Sequence, residues 1–167
     1  MTKYDIENTV AYKASRPGED LAQEIIKQHF NIDIIENDKT PGRENFHEYD
    51  FKTSNNKKYE VKEDKMSAFT GNFFIQTYQD YGTGKIPSSI KVTKSDFYMI
   101  LSGNKFYVIP TELLVSMIDA LEKHDLEEPN VKKKKEKSTY DPIRKHTRYG
   151  YIIPIRNILV HTTILEF

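Results

Sequence analysis

The chain has 167 residues with 25 basic and 25 acidic side chains, so no net field draws it as a whole toward nucleic acid or an anionic membrane. Its 11 Tyr and 9 Phe argue for one packed domain over 1–167 and against a disordered chain for most of that length. Without cysteine there are no disulfides or thiolate metal sites, which fits a cytoplasmic protein; MTKYDIENTV lacks the apolar run of a secretory signal, and no stretch approaches the ~20 apolar residues of a membrane span.

Gly18 to Phe30 predicts an amphipathic helix with acids in its first turn, where they suit the dipole. Leu21, Ala22, Ile25, Ile26 and Phe30 share one face, and Asp20, Gln23, Glu24, Lys27 and Gln28 the other. Glu19 falls in the apolar stripe. Two readings of it stand: a buried acid that needs a partner, or a residue of the first turn that caps backbone N–H groups or reaches water. His29 lies on the inner side and reads as packed.

Asn31 to Ile35 begins a first strand, and a polar loop runs on through Pro41-Gly42. The next stretch, FHEYDFKTSNNKKYEVKED, predicts two strands around the turn Ser54-Asn55-Asn56. A turn centred on Asn55 sets Asp50 opposite Glu60, with Cβ atoms about 5 Å apart. Lys62 then points to the same side as Glu60, roughly 7 Å along the strand. Opposed carboxylates repel unless a cation lies between them, and an adjacent ammonium can hold a water beside such an ion. Glu-x-Lys alone carries little information in a chain whose charged residues are 30% of the total. The strand context, Asp50 at the mirror position, Glu19 on the preceding helix and the apolar Tyr59 and Val61 behind the pair give it weight together.

Asn72 to Tyr78 predicts a strand with an apolar centre, followed by a loop rich in Gly, Lys and Ser. Asp96 to Leu101 and Lys105 to Ile109 form a hairpin around Ser102-Gly103-Asn104. A second helix runs from Thr111, its N-cap, to about Lys123, with Leu113, Leu114, Met117, Ile118 and Leu121 as its stripe. The segment 127–142, which includes the run Lys132 to Lys135, reads as a mobile basic loop; Tyr149 to Ile155 and Val160 to Phe167 return to strand pattern. The order implies helices packed on one mixed sheet in an α/β or α+β domain.

Asp50, then Glu60-Val61-Lys62, preceded by a Gly-Glu-Asp-Leu-Ala helix and followed by Thr70-Gly71-Asn72-Phe73-Phe74-Ile75, resembles the PD-(D/E)xK nuclease superfamily. The likeness covers approximately 18–114 and includes Ser88-Ser89-Ile90 and Ser95-Asp96-Phe97-Tyr98. It implies an α/β fold with a restriction-endonuclease-like mixed central β-sheet flanked by helices, and a metal-dependent DNA endonuclease that hydrolyses phosphodiester bonds. On that resemblance Asp50 and Glu60, with the Val61 carbonyl, ligate Mg²⁺ or Mn²⁺. Lys62 orients or deprotonates the attacking water, and Glu19 is the helix-borne acid, in preference to the wet-face residues Asp20 and Glu24. The chain departs from the pattern at Tyr49, where relatives carry Pro, and at Gln76, where they often carry Glu beside a secondary metal or water position.

The expected partners are DNA and a second copy of the chain, with no membrane and no small-molecule cofactor. Lys85, Lys91, Lys94 and the cluster Arg144, Lys145, Arg148 and Tyr149 are candidate phosphate contacts, with Tyr149 or Tyr151 able to stack on a base. Taken singly, each basic residue reads sooner as solvated surface than as a phosphate contact. Two alternatives remain: a catalytically inactive nucleic-acid-binding module on the same fold, and a protein-interaction domain in which Asp50, Glu60 and Lys62 form a surface ion-pair ladder.

Overall fold

The computed structural model describes residues 10–43, 48–128, 130 and 135–167, with backbone alone over 10–14. The first helix, α1 (Val10–Phe30), is longer than the stripe predicts, because it runs through Pro17. Pro17 lacks an N–H to donate within the helix, and the packing of the following turns keeps the segment helical. Ala22 and Ile26 are fully buried, each full burial of an Ile-sized side chain being worth about 1.5–3 kcal/mol, while Phe30 and His29 are exposed. His29 is therefore not packed inside; its ring meets Phe30 edge-on. Glu19 and Asp20 lie in the helix interior and not in its first turn, which removes the capping reading of Glu19.

Strands β1 (Ile34–Glu36), β2 (Phe51–Thr53) and β3 (Lys58–Glu63) follow. The β2–β3 turn is closed by the Thr53 amide on the Lys57 carbonyl at 2.9 Å, with Asn56 at φ 63 and the Asn55 side chain accepting from Thr53. Asn tolerates that left-handed position, which is why this polar triplet turns the chain. A short helix, α2 (Ser67–Thr70), leads to β4 (Asn72–Asp80), β5 (Ile86–Pro87) and a 3₁₀ turn at Ser89–Lys91. Then come the hairpin β6 (Phe97–Ser102) and β7 (Lys105–Pro110), helix α3 (Thr111–Glu127), β8 (Lys137–Asp141), β9 (His146–Pro154), two 3₁₀ turns and β10 (Thr163–Glu166).

Two sheets form where the sequence implies one. The larger is mixed, in the order β1-β2-β3-β6-β7-β10, with β3 and β6 parallel at its centre. The smaller is antiparallel, β5-β4-β9-β8. β4 leaves the first sheet because its long ladder pairs with β9, from Asn72 opposite Pro154 to Asp80 opposite Thr147. The Asp64 carboxylate ties the two together, accepting from the amides of Met66 and Ser67 on one side and of Phe74 on the other, at 2.9–3.1 Å.

Alternation along β6 divides the core. Met99 packs with Ala22, Ile26, Phe51, Tyr59 and Val61 beneath α1. Tyr98 and Ile100 pack with Phe73, Ile75, Tyr151 and Ile153 of the smaller sheet and with Leu114 and Ile118 of α3. The predicted stripe of α3 is thus the face that packs, but Thr111 is not its N-cap: Pro110 holds that position, and the Thr111 hydroxyl bonds Ser95 instead. Of the segment expected to be a mobile loop, 137–141 is strand β8, paired along β9. Lys132 to Lys134 lie outside the described residues. Among those described, no helix is long and apolar enough to cross a membrane.

Candidate functional site

The hairpin register builds the site. Phe51 pairs with Tyr59 and Lys52 with Lys58, so one further step sets Asp50 opposite Glu60. The Asp50 amide donates to the Tyr59 carbonyl at 2.8 Å, and its carboxylate oxygen Oδ2 accepts from the Val61 amide at 2.6 Å. Tyr59 and Val61 face α1, so alternation sends Glu60 and Lys62 to the other side of the sheet. There Lys62 forms an ion pair with Glu60 Oε1, while Thr93 Oγ1 lies 3.4 Å from Glu60 Oε2. Glu60 is 7% exposed. The Lys62 side chain keeps 42% of its surface in solvent, while its ammonium turns onto the buried Glu60.

Burial, then Glu60 and Glu19, push the Asp50 carboxyl well above the usual carboxylate range, against the pull of Lys62 and the Val61 amide. Burial acts to strip Lys62 of its proton, but the Glu60 and Asp50 carboxylates outweigh it and the ammonium is held more tightly than usual. Tyr98 is aligned with Glu60 on the parallel neighbour strand, and its hydroxyl shares a hydrogen bond with Ser89. Burial takes that phenol up to about 12, Lys62 pulling it down and Glu60 pushing it up. Ser89 sits at φ 52, a strained backbone for a residue with a side chain, directly behind the cluster.

Glu19 is 9% exposed and close enough to act on Asp50, but its carboxylate is bonded by Arg16 at 3.0 Å. Arg16 also reaches Asp38 at 2.8 Å. The buried acid of α1 therefore has a partner of its own on the same helix. Asp20 pairs with Arg16 and Glu24 with Gln28, on the outer face as the stripe predicts. Gln76 stands on β4 in the second sheet and donates to Ser88 Oγ at 2.8 Å, one residue from the Ser89 that holds Tyr98.

Four of the basic candidates are engaged by acids of the chain. Lys85 pairs with Glu136 over the Tyr149 ring, Lys91 with Glu122, Lys94 with Glu48, and Arg144 with Asp141. Arg148 lies 4.0 Å from Asp141, and Lys145 is exposed at φ 52. Tyr151 is buried with its hydroxyl on Asp125, so it is not available to stack on a base. Sequence reasoning gave no site role to Thr93 or Arg16, nor to Ser89 and Tyr98 within the resembling stretches; a buried tyrosine in a strand has the same local pattern as any core aromatic, and only the parallel register reveals its neighbour.

Two carboxylates, both hard oxygen donors and mutually repulsive, fit Mg²⁺ or Mn²⁺ better than a soft metal. Among the described residues no three His, Asp or Glu side chains stand together as a ready ligand group, and Glu19 is bonded by Arg16. No protein-family model matches the chain, and no curated protein matches it.

Proposed function

We propose that the chain is a Mg²⁺- or Mn²⁺-dependent DNA endonuclease with a restriction-endonuclease-like core, acting inside the cell and hydrolysing phosphodiester bonds. The observation that carries this reading is the hairpin register that brings Asp50 to Glu60, with the Lys62 ammonium paired to Glu60. Asp50 and Glu60 would hold the ion. When bound, such an ion polarises a phosphoryl oxygen and lowers the pKa of a coordinated water. Lys62 would orient the attacking water or take its proton, and offset phosphate charge. Thr93 and Tyr98 hold the floor of the cluster, through Glu60 and Ser89 respectively. A homodimer would offer one such cluster to each strand of a duplex.

The test is incubation of supercoiled plasmid, linear duplex, single strands and a four-way junction with and without Mn²⁺ or Mg²⁺. Cleavage is expected only with the ion. Asp50→Ala and Lys62→Ala should each lower the rate at least ~100-fold, the scale of a lost catalytic group, with an unchanged circular dichroism spectrum. Full activity in both variants ends the reading. A binding module without catalysis is favoured by one observation: Glu60 already has Lys62 on one oxygen and Thr93 near the other. That module would bind DNA yet take up no Mn²⁺ at Asp50 in a titration.

A further inference from the structure

Asp50 is the first residue beyond the β2–β3 register of Phe51 and Lys52, and its amide still donates to the Tyr59 carbonyl at 2.8 Å. Its carboxylate oxygen Oδ2 accepts from the Val61 amide at 2.6 Å, so the side chain's position depends on where the backbone is held. The backbone behind it is gripped from the opposite side. Arg43, 8% exposed, donates from Nη1 to the Asp50 carbonyl at 2.7 Å and from Nη2 to the Tyr49 carbonyl. Its Nε lies 3.2 Å from Glu36 Oε1, and its guanidinium carbon lies 4.5 Å from the centre of the Tyr49 ring. Glu36 Oε1 also accepts from the Tyr49 hydroxyl at 2.6 Å, so the acid aims both side chains.

The geometry points to Arg43 as a positioning residue for the cleavage site: by holding two successive carbonyls, it fixes the backbone that keeps the Asp50 carboxyl beside Glu60 and the Val61 amide. A fork of coplanar donors is needed for this, and Lys, a single point donor, cannot replace it. Arg43 touches no reacting atom; it acts through Asp50. Its catalytic consequence rests on the nuclease reading, whereas its effect on Asp50 does not.

Arg43→Lys keeps the charge and removes the fork. Amide hydrogen exchange reports the result directly, because the Val61 amide is bonded to the Asp50 carboxylate. In the variant, Val61 is expected to exchange at least ~10-fold faster, while Ile100 and Val108 in the same sheet keep their protection. Metal-dependent cleavage is expected to lose ~10–100-fold in kcat with KM unchanged, the scale of a misplaced catalytic group. Unchanged Val61 exchange overturns the inference, and so does an unchanged kcat in an active enzyme. If the native protein cleaves no DNA, the proposed function falls while Val61 exchange still decides the role of Arg43. Should Arg43→Lys fail to fold, Glu36→Gln removes the charge that aims the guanidinium, and unaltered Val61 exchange in that variant overturns the inference equally.

Discussion

Asp50 is held at a cost to the fold. Its carboxyl titrates above the ordinary value, 3.8, because burial and then Glu60 and Glu19 disfavour its charge. The folded chain therefore keeps a proton there that the unfolded chain has already released, so stability falls as pH rises from about 3.8 through the raised value. Asp50→Asn should accordingly raise Tm at pH 7, with the gain vanishing below the ordinary carboxylate range. Added Mn²⁺ should reverse the ranking. A ligand at 100 times its Kd stabilises by about 2.7 kcal/mol, a gain expected in the native protein and diminished in the variant. Thermal melts of both proteins with and without Mn²⁺ across pH 3–8 check the sign, and an Asn variant less stable than the native protein at pH 7 would contradict it.

Among the elements, β4 and β9 depend on one close approach. A Cβ on Gly150 would stand 2.2 Å from the Ile75 carbonyl oxygen, beside the irregularity in the ladder between Gln76 and Tyr78. Backbone cannot yield there as a flexible side chain can, so Gly150→Ala should destabilise by about 1–3 kcal/mol or more, measured as a lowered urea midpoint at constant m. The sequence made the hairpin legible because Asn55 and Asn56 mark its turn and the charged residues sit at mirrored positions. The stripe of α3 was legible for the same reason of period. The second sheet was not, since Asn72 to Tyr78 has the apolar centre of any buried strand, and nothing local says that its partner lies beyond α3. Nor could periodicity show that Pro17 lies inside α1, or that Glu19 would find Arg16 one turn away.

Over the whole molecule, balanced charge is matched by internal pairing. Lys85, Lys91, Lys94, Arg144 and Arg148 each face a carboxylate of the same chain, so these five, among the described residues, have less charge free to release counterions. If these residues and Lys145 all touched phosphate, the logarithm of the DNA association constant would fall with log salt at a slope near about −5. A slope of about −2 or shallower is expected, from binding measured between 50 and 200 mM salt. The steeper value would mean that the ion pairs open onto the nucleic acid.

The parallel pair at the centre of the larger sheet also separates two kinds of contact. Asp50 and Glu60 meet through a hairpin, a local closure of the sort that takes roughly 1–10 μs. Tyr98 meets Glu60 across the long connection between β3 and β6, a closure of distant segments that is expected to be slower. On that expectation two acids come together before the strand that shields them, and a counter-charge present at that moment would ease the nascent hairpin as well as the finished one.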